Sequence, residues 1–171
     1  MANPGGMVTN RFGLIIEAAG STSRHIDATP GTVLDAITCV RRLPEWNAAI
    51  ESVIEDPGPL GPQSQWVVMM HPDGWPRWRS RSTVDEIDRD AGLLSYTTQT
   101  DDGNASFATW NWQVAPAATG SELTVAWQLY PKTLGRRTII GRLRQTMLAR
   151  EVDASLRQLV AMLHLEDPTG D

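Results

Sequence analysis

Three side chains in this sequence pair an ionisable group with a position where a proton could be handled: His71, Tyr96 and Glu151. An imidazole titrates near neutrality, a carboxylate can accept a proton, and a phenol can release one or donate a hydrogen bond. Tyr96 and Glu151 are each expected to point into a mostly apolar interior, where burial shifts a pKa and can fit a group for proton transfer. His71 stands beside the Pro72-Asp73-Gly74 turn, where a lone histidine commonly serves as a solvent-facing or capping group. No His-Glu-x-x-His, paired cysteine, phosphate-cradling glycine loop or nucleophile-elbow sequence occurs, so metal hydrolysis, nucleotide chemistry and serine hydrolysis lack their usual supports. His25, His71 and His164 are spread too widely along the chain to suggest a metal site, and no cofactor is expected.

Apolar and aromatic residues dominate the remaining candidates. Seven Trp stand against two Tyr and two Phe. Each Trp brings a large apolar area and one N–H donor in need of a partner, so something wide is being lined or filled. Period-two alternation puts Trp110, Trp112 and Val114 on one strand face, and Leu123, Val125, Trp127 and Leu129 on the corresponding face of the next strand. On an earlier strand Arg77, Arg79 and Arg81 share a phase, leaving Trp78, Ser80, Ser82 and Val84 opposite. Two serines on an inner face suggest room or water, because a close-packed core would use larger side chains. Tyr96 is expected to point inward with Leu94 and Thr98, while both faces of Gln65 to His71 are apolar and their phase stays open. Trp75, in a Pro-Asp-Gly-Trp-Pro turn, has little core to join and is read as a gate or an interface residue.

These residues need a frame. Thr133 to Leu163 is the one stretch long and periodic enough for a long helix. Ile140, Leu143 and Met147 share one side, whereas Val152, Leu156 and Leu163 are rotated around the axis. The later half is expected on a dry core, and the earlier half, with Leu143 and Met147, facing something less uniform. Arg11 to Asp27 reads as one long strand or two pieces around Gly20. Thr29 can cap a first helix opened by Pro30 and striped by Val33, Ile37 and Val40; Pro44 opens a second short one. Cys39 on the first helix reads as a small buried hydrophobe. From Ala49 onward, turn signals roughly every ten residues mark an antiparallel meander of six strands. Alternate turns of an antiparallel meander lie at the same end, so those near Pro72 to Pro76, Asp101 to Asn104 and Pro131 to Gly135 should form one rim.

At 171 residues the chain suits a single domain, with flexible ends expected at 1–10 and 165–171. The net charge of -5 and pI near 5.2 argue against nucleic acid or an anionic membrane surface as the main partner. The basic cluster of Lys132, Arg136, Arg137, Arg142 and Arg144 is expected on a solvated helix face. With Cys39 alone, no intrachain disulfide can form. The first ten residues lack the charged start and apolar run of a signal peptide, and no apolar run reaches membrane-spanning length. A cytoplasmic protein without membrane insertion is expected. The oligomeric state stays open, a homo-oligomer included.

The order strand, two helices, six strands, long helix, with Ile26-Asp27-Ala28-Thr29-Pro30 followed by Leu43-Pro44-Glu45-Trp46-Asn47 and later Thr109-Trp110-Asn111-Trp112, resembles the START-like (SRPBCC) superfamily, in particular its polyketide cyclase/dehydrase-like branch. The resemblance implies an α+β helix-grip fold: a curved seven-stranded antiparallel sheet wrapped around the C-terminal helix, with two short helices between the first two strands and a cavity inside. It also implies a range of functions, from lipid carriers and quinone-binding proteins to cyclases. The leading expectation is a cavity for a small apolar or aromatic molecule, polyketide-, lipid- or quinone-like. One alternative is a cofactor-independent cyclase or dehydratase using Tyr96, Glu151 or His71. The other is a protein-interaction module, for which an apolar outer sheet face would be the sign.

Overall fold

Capping and breaking residues set the start of the chain's course. Residues 18–132 and 139–166 are described by the computed structural model, with side chains for 19–132 and 147–166. Strand β1 (Ala18–Ile26) leads to helix α1 (Pro30–Thr38), whose N-terminus is held by the Thr29 hydroxyl accepting from the Thr32 N–H at 3.2 Å. Pro30 at the first helical position needs no such bond. Cys39 is in an extended conformation and ends the helix, half-buried rather than fully buried as expected. After a single 3-10 turn (Val40–Arg42), Pro44 opens the one-turn helix α2 (Leu43–Trp46).

Six strands then run as a meander: β2 (Ile50–Glu55), β3 (Gln65–Met70), β4 (Trp78–Asp88), β5 (Leu93–Thr100), β6 (Phe107–Pro116) and β7 (Ser121–Tyr130). All seven strands make one antiparallel sheet in the order β1-β7-β6-β5-β4-β3-β2. The sheet is curved, and the long helix α3 (Ile139–Glu166) completes the helix-grip fold expected from the sequence. Residues Arg11 to Glu17 of the long first strand and Thr133 to Thr138 of the long helix lie outside the described residues. At the other end the helix runs further than expected: Leu165 and Glu166 are helical, and Glu166 pairs with Arg42.

Alternation decides which face each strand buries. On β4, Ser80, Ser82 and Val84 are buried while Arg79 and Arg81 turn outward to Glu55 and Asp101, as the phase of this strand predicts. On β7, Ser121, Leu123, Val125 and Trp127 are buried in strict alternation. The inward rows meet Ile26, Val33, Ile37, Leu156 and Leu159 in a dry core at one end of the sheet. Removing that apolar surface from water stabilises the fold by roughly 25 cal/mol per Å².

The helix does not touch the whole concave face. It packs on α2 and β1, where Asp153 pairs with Arg24 and the Ser155 hydroxyl accepts from the Ala48 N–H at 3.0 Å. The concave wall of β3 to β6 stands off from it. A space is left between them.

Candidate ligand cavity

A hollow of about 470 Å³ lies between the concave wall and the described part of α3. Its inner end is bordered by Trp66, Ser82, Tyr96 and Trp112 from the sheet and Ser155 from the helix. Its rim carries Trp75, Pro76, Asp102 and Pro131, so residues of the three turns expected to cluster do border one opening. The meander produces this, since each of these turns follows an odd-numbered strand and ends at the same side of the sheet.

One wall is aromatic, and its row of rings continues behind the wall to Trp127. The rings of Trp66 and Tyr96 meet edge to face at 5.0 Å, Tyr96 stacks on Trp110 at 6.3 Å, and Trp110 tilts against Trp127 at 6.2 Å. This row crosses β3, β5, β6 and β7 because Tyr96, Trp110 and Trp127 are direct cross-strand partners. Beside it lies a strip of small hydroxyls. Ser82 and Thr98 share a hydrogen bond of 2.8 Å, and the Ser80 hydroxyl donates to the Gln99 carbonyl at 3.3 Å. Near the mouth, Phe107 and Tyr130 stack at 4.5 Å with the Lys132 ammonium 5.2 Å from the Phe107 centroid.

Trp75 reaches from its turn to the helix, and its indole N–H donates to the Met147 sulfur at 3.2 Å. This contact ties the rim turn to α3 beside the opening. Trp78, Ser80, Ser82, Tyr96, Trp110 and Trp112 all border the hollow. Trp127 does not: its indole is buried over Gly20 and against Trp110, one layer behind the cavity wall. The side chain of Leu143 lies outside the described residues.

Of the three ionisable candidates, Tyr96 and Glu151 border the hollow and His71 does not. His71 is solvent-exposed, with its backbone N–H bonded to the Ala49 carbonyl, because the strand ends there and its side chain leaves the sheet. Tyr96 is half-buried on the border of the hollow, and loss of solvent around its phenol pushes it well above the ordinary tyrosine range. The Trp112 N–H approaches the phenol and offsets part of that rise, without completing a well-formed hydrogen bond. Glu151 projects from α3, and its backbone carbonyl accepts from the Ser155 hydroxyl at 2.8 Å. Among the described residues no three of His, Cys, Asp and Glu converge as a metal site would require.

Sequence reasoning missed Trp66, Phe107, Tyr130, Ser155 and Leu148, which also border the hollow. Trp66 falls in the strand whose two faces are both apolar, so alternation carried no signal. Phe107 and Tyr130 pair across β6 and β7, a proximity visible only once the register is known.

Curved sheet, gripped helix and internal hollow define the class as START-like. The chain belongs to the family described as polyketide cyclase / dehydrase and lipid transport, which matches residues 17–164. Among solved structures it is similar to the Zhui aromatase/cyclase from Streptomyces sp. R1128, with 13% identity and a TM-score of 0.69 over 84% of this chain and 92% of that one. A START superfamily protein from Mycobacterium smegmatis matches with 13% identity and a TM-score of 0.68, covering 86% and 97%. Protein CV1439 from Chromobacterium violaceum matches with 17% identity and a TM-score of 0.66, covering 84% and 95%. No curated protein sequence is similar enough to count as a relative. At these identities the structural matches establish the fold. Among the described residues no helix is long and apolar enough to cross a membrane.

Proposed function

We propose that the protein holds a small apolar or aromatic molecule in the hollow between β3 to β6 and α3. The observation that carries this reading is the hollow itself: about 470 Å³ with Trp66, Trp75, Trp78, Trp110 and Trp112 on its border, in a domain whose other end is filled by core side chains. An apolar cavity with a few placed polar groups is the usual form of a small-ligand site. Polyketide-, lipid- and quinone-like molecules share the required chemistry. Composition supports a cytoplasmic setting, and the reading needs neither cofactor nor nucleic acid.

Native mass spectrometry of the purified protein should reveal a co-purifying small molecule. Titration with acetonaphthone, a neutral bicyclic ketone, should quench Trp fluorescence saturably. A flat titration, together with a bare protein mass, would remove this reading and favour a protein-interaction module.

A cyclase or dehydratase activity is the second reading, and the common border of Tyr96 and Glu151 on one cavity favours it. In it, Glu151 takes a proton from a carbon next to a ligand carbonyl while the cavity holds the chain folded. A solved neighbour of the same fold, named an aromatase/cyclase, supports this reading. Glu151→Gln should then abolish turnover of a poly-ketone test substrate while leaving its affinity within about threefold. Wild-type protein that binds such a substrate and returns it unchanged would leave binding as the whole function.

A further inference from the structure

The inner end of the hollow carries a hydrogen-bond donor whose own structure gives it nothing to donate to. Tyr96 sits on β5 with its ring fixed on two sides, edge to face against Trp66 at 5.0 Å and stacked on Trp110 at 6.3 Å. Its hydroxyl donates to no described residue, and the residue borders the cavity. Trp112, one cross-strand position further along β6, is only 4% exposed, and its indole N–H has no acceptor that meets hydrogen-bond geometry. That N–H approaches the Tyr96 oxygen. An indole N–H can only donate, so its approach gives the phenol O–H no acceptor. The hollow that Tyr96 borders is where an acceptor could lie.

We propose that Tyr96 is the ligand's oxygen anchor, its O–H donating to a neutral acceptor, a ketone or quinone-type carbonyl, on an aromatic ring system lying along the Trp66–Tyr96–Trp110 row. This rests on the reading that the hollow binds a small molecule, and it narrows the ligand class. A hydrocarbon would bury the hydroxyl with no acceptor, which is costly. A carboxylate would bring a charge into an apolar end where Tyr96 supplies one neutral donor. A carbonyl satisfies the donor without charge. The neighbouring Ser82 and Thr98 pair uses one of its two hydroxyl protons internally, so the other is available to a second oxygen on the same edge. Burial keeps the phenol protonated, so its part in the site is to donate.

The test uses the full chain with three matched probes: acetonaphthone, isopropylnaphthalene, which replaces the carbonyl by a hydrocarbon group, and naphthoate. Wild type should bind acetonaphthone at least fivefold more tightly than isopropylnaphthalene, with naphthoate weakest. Tyr96→Phe should lose that preference by weakening acetonaphthone alone. The carbonyl stretch of bound acetonaphthone should lie at lower frequency in wild type than in Tyr96→Phe. A variant that weakens both neutral probes equally, or leaves the carbonyl stretch unmoved, overturns the anchor while leaving the cavity reading intact. Failure of wild type to bind any probe overturns the cavity reading and the anchor with it.

Discussion

Gly20 on β1 and Trp127 on β7 face each other across the sheet, and the indole lies where a side chain at position 20 would stand. A Cβ placed on Gly20 would come within 2.2 Å of Trp127 Cζ2. The glycine is needed for space, because the ring must lie flat on the edge strand to reach Trp110. Gly20→Ala should therefore destabilise the fold by about 1–3 kcal/mol through overpacking. Trp127→Leu combined with it should recover part of the loss, a non-additivity that urea denaturation of the single and double variants would measure.

The rim contact has a different signature. Trp75 is half-buried and joined to α3 through the Met147 sulfur, so it contributes little core area while standing at the opening. Trp75→Ala should speed release of acetonaphthone several-fold, while changing unfolding free energy by less than about 1 kcal/mol. Stopped-flow displacement set beside denaturation curves checks both halves. Unchanged release rates would mean that ligands enter elsewhere.

Ser80 is 3% exposed on the cavity wall, and its hydroxyl donates to the Gln99 carbonyl. Ser80→Leu should add three carbons to the cavity wall in place of the hydroxyl, reducing acetonaphthone affinity at least tenfold. Apolar contacts replace the lost hydrogen bond, so stability should stay within about 1 kcal/mol of wild type. Titration calorimetry and thermal melting separate the two effects.

Alkaline pH tests the surroundings of Tyr96. Its phenol is raised in the folded protein, so above about pH 10 the unfolded chain loses this proton while the folded chain keeps it. The folded state then binds more protons, and stability must fall as pH rises from that point. Below pH 9 this group contributes no slope. The urea midpoint of wild type should fall more steeply between pH 10 and 11 than that of Tyr96→Phe, by up to about 1.4 kcal/mol per pH unit. Parallel slopes would show that the phenol ionises freely in the fold.

The sequence revealed what depends on local period. Arg79 and Arg81 outward with Ser80 and Ser82 inward, the alternation of β7, and the Thr29–Pro30 helix start all rest on neighbours within a few residues. What it concealed depends on partners far along the chain. Trp127 looked like a cavity residue because its phase is inward; that it is withdrawn behind the wall follows from Gly20 lying opposite it. Trp66 was hidden by apolar residues on both faces of β3, where burial on each side erases the alternating pattern. His71 was drawn in by its nearness to Trp75, yet two side chains flanking one turn can leave it in different directions.

The β1–β7 pairing joins the first described strand to the last, as in the 2.8 Å hydroxyl bond between Ser23 and Thr124, 101 positions apart. At translation rates of about 5–20 residues per second, β1 leaves the ribosome roughly 5–20 s before its partner exists. During that interval the meander from β2 onward can pair hairpin by hairpin, while β1 has no neighbour in the sheet. β7, the last described strand, is therefore flanked by β6, made just before it, and by β1, made well before it. Completion of the sheet therefore waits on one long loop closure between β1 and β7, the kind of non-local pairing that slows folding.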